Sequence, residues 1–263
     1  MTQIRIDTRA YFSFWGKYLW VFYFCLIYRF LFETGLSRPA ISLNLNHDRI
    51  DFSLFLISGI SLIHLVTFSV KSIDETISDL RRSGIISWVL ITPTSLHELF
   101  LVRWIWGFFL SITELTATII FGRFLIGTPI WLFFQGSAFF AFFLMSLAYA
   151  GIGMGIAALS LSLRRGGFLC SVVHQASVVF GGVFFPTYLF PNMISFISQV
   201  LPITHALNIV RYALIHAGQS VPFSLFSPLM QMSLLYFLSG LWILQKSLCY
   251  AKQNGLLLKD LHE

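Results

Sequence analysis

Few side chains in this sequence can do chemistry, and those that can are set among apolar neighbours. Glu114 stands mid-way along one apolar run, and His64, His174 and Gln175 on other runs are its candidate partners. A carboxylate inside a hydrocarbon layer is costly, so it must face a partner or a wet cavity. Two roles are open to Glu114: a polar element of a path or gate through the layer, or a buried hydrogen-bonding group that holds helices together. As a general base, Glu114 or a histidine would suit a membrane-embedded acyl- or glycosyltransferase. Such an enzyme should gather its polar groups at one membrane face, whereas here they are dispersed. Arg29 and Glu33 form an i,i+4 pair and serve each other. Cys25, Cys170 and Cys249 have neither metal nor redox spacing and read as small packing residues, so no metal site is expected. There is no phosphate-cradling GxxxxGK[ST] loop, because Gly16-Lys17 lacks the upstream glycine and the following Ser or Thr. His97-Glu98 lacks the second histidine of HExxH, and no GxSxG elbow occurs.

The elements that hold these residues follow from composition. Apolar types fill 57% of 263 positions and charged types only 11%, with a mean hydropathy of +0.79. Soluble domains average roughly 25% charged residues, so a water-soluble fold is excluded and an all-α membrane protein is expected. Spans are predicted at 16–34, 52–71, 99–121, 131–161, 167–189 and 223–245, making six transmembrane helices. The fourth is long enough to tilt or to contain a break. With both termini in the cytoplasm, Arg5, Arg9, Lys17, Lys71, Arg81, Arg82, Arg103, Arg164, Arg165, Lys246, Lys252 and Lys259 fall inside. Arg38, Arg49, Arg123 and Arg211 fall outside, and the positive-inside rule selects this orientation. The net charge of +6 is thus topological, and with no basic patch nucleic acid is not an expected partner. Residues 3–18 place Ile4, Tyr11, Phe14, Trp15 and Tyr18 opposite Arg5, Arg9 and Lys17, the pattern of an interfacial helix. The first apolar run lacks a small-residue cleavage site and is no cleavable signal.

Two connections are unusual. After the second span, Ser72 and Glu75 form an S-x-x-E capping box, which predicts a helix start. Ile73, Ile77 and Leu80 share one face of that helix, Asp74, Glu75, Asp79, Arg81 and Arg82 occupy the rest, and Gly84 is placed to end it. Thr92-Pro93 marks a turn, and Ser95 with Glu98 makes a second box before the third span. A short charged helix there suits docking to a soluble partner; a solvated linker helix is the alternative. Further on, Pro186, Pro191 and Pro202 cut an apolar region into pieces. The piece 192–201 would reach about 15 Å as a helix, half a bilayer. It should enter the outer leaflet and return, packed in protein so that its backbone stays satisfied. Gly151 and Gly155 form a GxxxG that allows close helix packing.

The run from Glu75 through Arg81-Arg82-Ser83-Gly84 to Thr92-Pro93 and Glu98 resembles the cytoplasmic loop of type-2 ABC transporter permeases. The segment Gly181-Gly182-Val183-Phe184-Phe185-Pro186 and the later Pro202-x-Thr204-x6-Arg211 are similar to that family's re-entrant element. The Leu-Pro-Ile-Thr-His form looks most like permeases for nodulation lipo-oligosaccharides and their polysaccharide- and drug-exporting relatives. The tail Ala251-Lys-Gln-Asn-Gly-Leu also matches the family, whereas residues 35–50 match nothing of use. The resemblance implies one transmembrane domain over 1–263, with a coupling region at 73–93 and a re-entrant segment at 186–215. Glu75, Asp79, Arg81, Arg82, Ser83, Gly84, Thr92 and Pro93 would contact an ATPase subunit. Gly182, Pro186, Pro191, Pro202, Thr204 and Arg211 would carry the re-entrant motif. Glu114, His64, His174, Phe180, Phe184, Phe185 and Tyr188 are candidates for a path taken by an amphipathic cargo. The chain itself would be no enzyme and bind no cofactor; ATP and Mg2+ would sit on a separate ABC ATPase, present in two copies. A second copy of the chain and membrane lipid are further expected partners, in a bacterial inner membrane.

Overall fold

The computed structural model describes residues 42–45, 48–82, 96–126, 136–163, 166–216 and 220–253. The expected interfacial helix at 3–18, the first span at 16–34, Arg29 and Glu33 lie outside them. So do Ser83, Gly84, Thr92 and Pro93, and for Arg81 and Arg82 only the backbone is described.

Strand β1 (Ser42–Leu45) pairs antiparallel with β2 (Asp48–Asp51), Ser42 opposite Asp51, and β2 leads directly into the first described helix. That helix, α1 (Phe52–Arg82), is followed by α2 (Leu96–Ile126), α3 (Gly136–Leu163) and α4 (Gly166–Phe180). A 3-10 turn at Thr187–Leu189 leads to α5 (Asn192–Val200), α6 (Pro202–Ile215) and α7 (Phe223–Gln253). Apart from the small hairpin the described chain is helical. The helices α1, α2, α3 and α7 are each long and apolar enough to cross a bilayer.

Several boundaries differ from the sequence reading. No helix starts at Ser72: α1 runs unbroken from Phe52 to Arg82, and Ser72 is buried inside it. The segment 52–82 contains no proline, and its tail keeps Ile73 in the core. A capping box acts only where an upstream chain stops being helical, and here nothing stops it. The span expected at 167–189 ends at Phe180, giving 15 residues. That is about 22 Å of helix, short of a full crossing. The span expected at 131–161 is unbroken over Gly136–Leu163. In α7, Pro228 cannot donate to the carbonyl of Ser224, and Ser227 Oγ donates to it instead at 3.3 Å, so the helix continues.

At the centre lie α1 and α3, mostly buried, while α2 and α7 turn most of their residues outward. Gly151 on α3 sits against the Tyr236 carbonyl and Gly240 of α7 so closely that neither glycine could carry a Cβ. Gly153 faces α1 instead, where a Cβ would come 3.1 Å from the Val70 carbonyl. Gly155 meets nothing within 4 Å, so the close approach uses Gly151 and Gly153 on two faces and not the GxxxG pair. One apolar cluster, including Leu62, Leu65, Met145, Tyr149, Ile203 and Leu207, fills the end near α6. A second, with Ile73, Phe100, Trp104, Met154 and Leu244, fills the end where α1 stops at Arg82.

Candidate functional site

Glu114 is buried on α2, and its Oε2 lies 3.0 Å from His64 Nδ1 on α1. Of the partners considered, His64 is the one that meets it; His174 and Gln175 sit further along the exposed side of α4, His174 half-buried and Gln175 exposed. The pair joins two long neighbouring helices through a polar contact in an apolar interior, where an unpaired carboxylate would be costly. It is able to hold or pass a proton and to tie α1 to α2.

The second site is the break after α4. A helix end leaves carbonyls without partners, and inside a membrane water cannot supply them. Here the four consecutive carbonyls of Phe180, Gly181, Gly182 and Val183 are each met by a side chain of the bent pair α5–α6. Ser198 Oγ donates to Phe180, Thr204 Oγ1 to Gly181 at 3.3 Å, and Arg211 Nη2 to Gly182 at 3.0 Å and to Val183 at 3.5 Å. Thr204 and Arg211 are two helical turns apart on α6, so both reach the same strip of backbone. Arg211 also donates to the Phe55 carbonyl and Ser58 Oγ of α1, each at 3.4 Å, and its guanidinium lies 3.6 Å over the Phe55 ring.

Arg211 was expected on the extracytoplasmic side, within the re-entrant segment. It is 4% exposed. Its acceptors are three backbone carbonyls and the Ser58 hydroxyl, which a planar fork of donors is suited to serve together.

The other motif positions have local reasons. Gly182 adopts φ +79°, the left-handed conformation that ends a helix with least strain in glycine. Pro202 opens α6, where no amide donor is needed, and Pro191 occupies the cap position of α5. Helices α5 and α6 meet at 85°. The carbonyls at the end of α5 are satisfied too: Tyr236 Oη donates to Val200 and His205 Nε2 to Gln199, at 2.9 and 2.8 Å. Pro186 is buried, Phe180 and Phe184 are half-buried, and Phe185 and Tyr188 are exposed beside the turn. The sequence reading missed Phe55, Ser58, Ser198, His205 and Tyr236. No spacing signals them, because what they bind is backbone or, for Phe55 and Ser58, an arginine distant in sequence.

At the Arg82 end, Glu75 and Asp79 are exposed on the last turns of α1. Asp79 Oδ2 accepts from Arg103 Nη2 at 3.3 Å, linking the end of α1 to the start of α2. A cavity of about 370 Å3 nearby is lined by Ile73, Phe100, Trp104, Met154, Phe237 and Leu241, and is almost wholly apolar.

The family model for ABC-2 type transporters matches residues 3–215, most of the chain. The chain is an ABC-2 type transporter permease. No curated protein matches it. As a permease it is an integral, multi-pass membrane subunit, and α1, α2, α3 and α7 are long and apolar enough to cross. The matched region covers the His64–Glu114 pair, the α4 break and Arg211, so both sites belong to the family's membrane domain.

Proposed function

We propose that this permease is the membrane half of an ATP-driven exporter. Two copies pair, each engages one ABC ATPase through residues 73–93, and ATP with Mg2+ is bound and hydrolysed on that partner. An amphipathic cargo, drawn from lipo-oligosaccharides, polysaccharides, lipids or drugs, is moved outward across a bacterial inner membrane. Both termini are cytoplasmic, and the bent pair α5–α6 dips into the outer leaflet and returns.

The observation that carries this reading is the continuity of α1. Glu75 and Asp79 lie on the same unbroken helix as His64 and Phe55. A displacement applied to the charged tail by the ATPase therefore reaches the His64–Glu114 pair and the Arg211 contacts directly, since a helix is stiff over this length. Asp79–Arg103 passes part of the same push to α2.

Exchanging Arg81 and Arg82 together for glutamate is expected to abolish ATPase association and ATPase stimulation in reconstituted vesicles, with the permease still folded. Full stimulation by that variant would remove the coupling role. Glu114→Gln, which keeps a hydrogen bond to His64 while removing the charge, is expected to lower transport and leave assembly intact. A loss of folded protein at normal transport per molecule would make the pair a brace and nothing more.

A further inference from the structure

The outward faces of the helices are not alike. The side shared by α1 and α4 carries a polar stripe, with Lys71, Glu75, Ser171 and Gln175 exposed. Around α2 and α7 the surface is apolar. Leu101, Val102, Ile105 and Trp106 face out from α2, and Leu235, Leu238 and Trp242 from α7. Such faces suit acyl chains.

Among the described residues α2 and α7 scarcely touch each other: α2 leans on α1, and α7 leans on α3 and α6. The cavity of about 370 Å3 is the gap between them. Ile73, Ala150 and Met154 form its floor; Leu101 closes the α2 wall, and Leu241 and Gln245 the α7 wall. The gap has a cause in the sequence. Gly151 seats α7 against the backbone of α3, and Gly153 seats α1 there. Beside them Ala150 has only a methyl group to offer, so the space stays open. Trp104 turns its polar atom away, its Nε1 donating to the Ser146 carbonyl at 3.3 Å. Among the described lining residues Gln245 is then the one polar side chain that borders the space.

An apolar cavity does not hold water, and this one has the size of a ligand pocket, roughly 300–1,000 Å3. Its polar end has a sign. Lys246 follows Gln245, and its Nζ lies 3.9 Å over the Trp242 ring, both side chains exposed at the rim. Toward α1, Arg103 and Asp79 neutralise each other. Among the described residues no carboxylate pairs with Lys246, so its ammonium sets the charge of the rim. Tryptophan and lysine together mark the level of lipid head groups, and a lysine at that level attracts anionic ones.

We infer that the cavity between α2 and α7 holds one acyl chain of an anionic phospholipid, drawn from the leaflet at the Arg82 end, with its phosphate beside Lys246. The chain fills the gap as a side chain would and braces α7 against α2. This lipid is a resident ligand and not cargo, and its binding does not depend on the exporter reading.

The test is thermal unfolding of the full-length permease in dodecyl maltoside, with dioleoyl phosphatidylglycerol or dioleoyl phosphatidylcholine added. Phosphatidylglycerol at ten times its Kd is expected to raise the midpoint by about 3–6 °C, and phosphatidylcholine by less. Ala150→Phe, whose ring enters the cavity, should unfold above the natural protein without lipid and gain nothing from phosphatidylglycerol. Should that variant not fold, Leu101→Trp, exposed at the mouth, makes the same test by narrowing the entrance. Lys246→Gln should weaken phosphatidylglycerol binding about fivefold and leave phosphatidylcholine unchanged. Leu238→Ala on the outward face should respond to both lipids as the natural protein does. An equal gain from the two lipids in the natural protein, or an undiminished gain in the variants that fill or narrow the cavity, overturns the proposal. No gain from either lipid would mean that detergent or the chain itself fills the space, and overturns it as well.

Discussion

Arg211 shows how a charged side chain comes to be a structural necessity in an apolar interior. The turn after α4 has irregular backbone, and its carbonyls at Gly182 and Val183, with that of Phe55 on α1, converge on one guanidinium. Removing the guanidinium strands those acceptors, and each buried unsatisfied group costs about 1–3 kcal/mol. Arg211→Met is therefore expected to destabilise the folded permease by about 3 kcal/mol or more, measured by unfolding in detergent. Arg211→Lys should recover only part of this, because an ammonium is a point charge without the planar fork. Equal stability of the methionine variant would mean that water reaches the turn. The motif that names Arg211 was legible in the sequence, but its burial was not. A lone arginine after a proline-broken apolar segment reads as an outer-loop charge, and carbonyl acceptors carry no side-chain signature. Glu114 was legible as a group in need of a partner, and the choice of His64 over His174 needed the helix positions.

At the scale of elements, apolar length located the four long helices, and proline located the break at α5–α6. Local capping signals misled where tertiary packing took over. Ser72 and Glu75 have the right types and spacing for a helix start, yet α1 continues through them because Ile73 is anchored among Phe100, Trp104 and Met154. The end of α4 at Phe180 was hidden because the residues beyond it, Val183 to Phe185, are as apolar as a span. The glycines give a contrast that can be measured. Gly151→Ala would drive a methyl group into the Tyr236 carbonyl, and Gly240→Ala into the Gly151 backbone. Backbone cannot swing aside as a side chain can, so either change should separate α3 from α7 and cost about 1–3 kcal/mol. Gly155→Ala meets open space and should be neutral or stabilising by up to about 1 kcal/mol through helix propensity. Thermal unfolding of the three variants in one detergent checks the order; a Gly155→Ala loss as large as that of Gly151→Ala would mean that another chain packs on Gly155.

Taken together, the described helices have two kinds of exterior, and the difference predicts where water goes. A thiol reacts with maleimide as its thiolate, which forms in water and not in hydrocarbon. Cysteine replacing Lys71 or Gln175 on the polar α1–α4 side should thus label with a water-soluble maleimide at least about tenfold faster than cysteine replacing Ile105 or Leu238. The natural Cys25, Cys170 and Cys249 would first be replaced by alanine. The permease would be kept in bilayers, since detergent wets every face. Addition of non-hydrolysable ATP analogue to the complex with its ATPase should change the rates at 71 and 175, because the tail of α1 proposed to meet the ATPase is continuous with the helix carrying Lys71. The rates at 105 and 238 should stay fixed. Equal labelling at all four positions would show that the polar stripe meets lipid like the rest of the surface, and that its charges are held there by something other than a water-filled path.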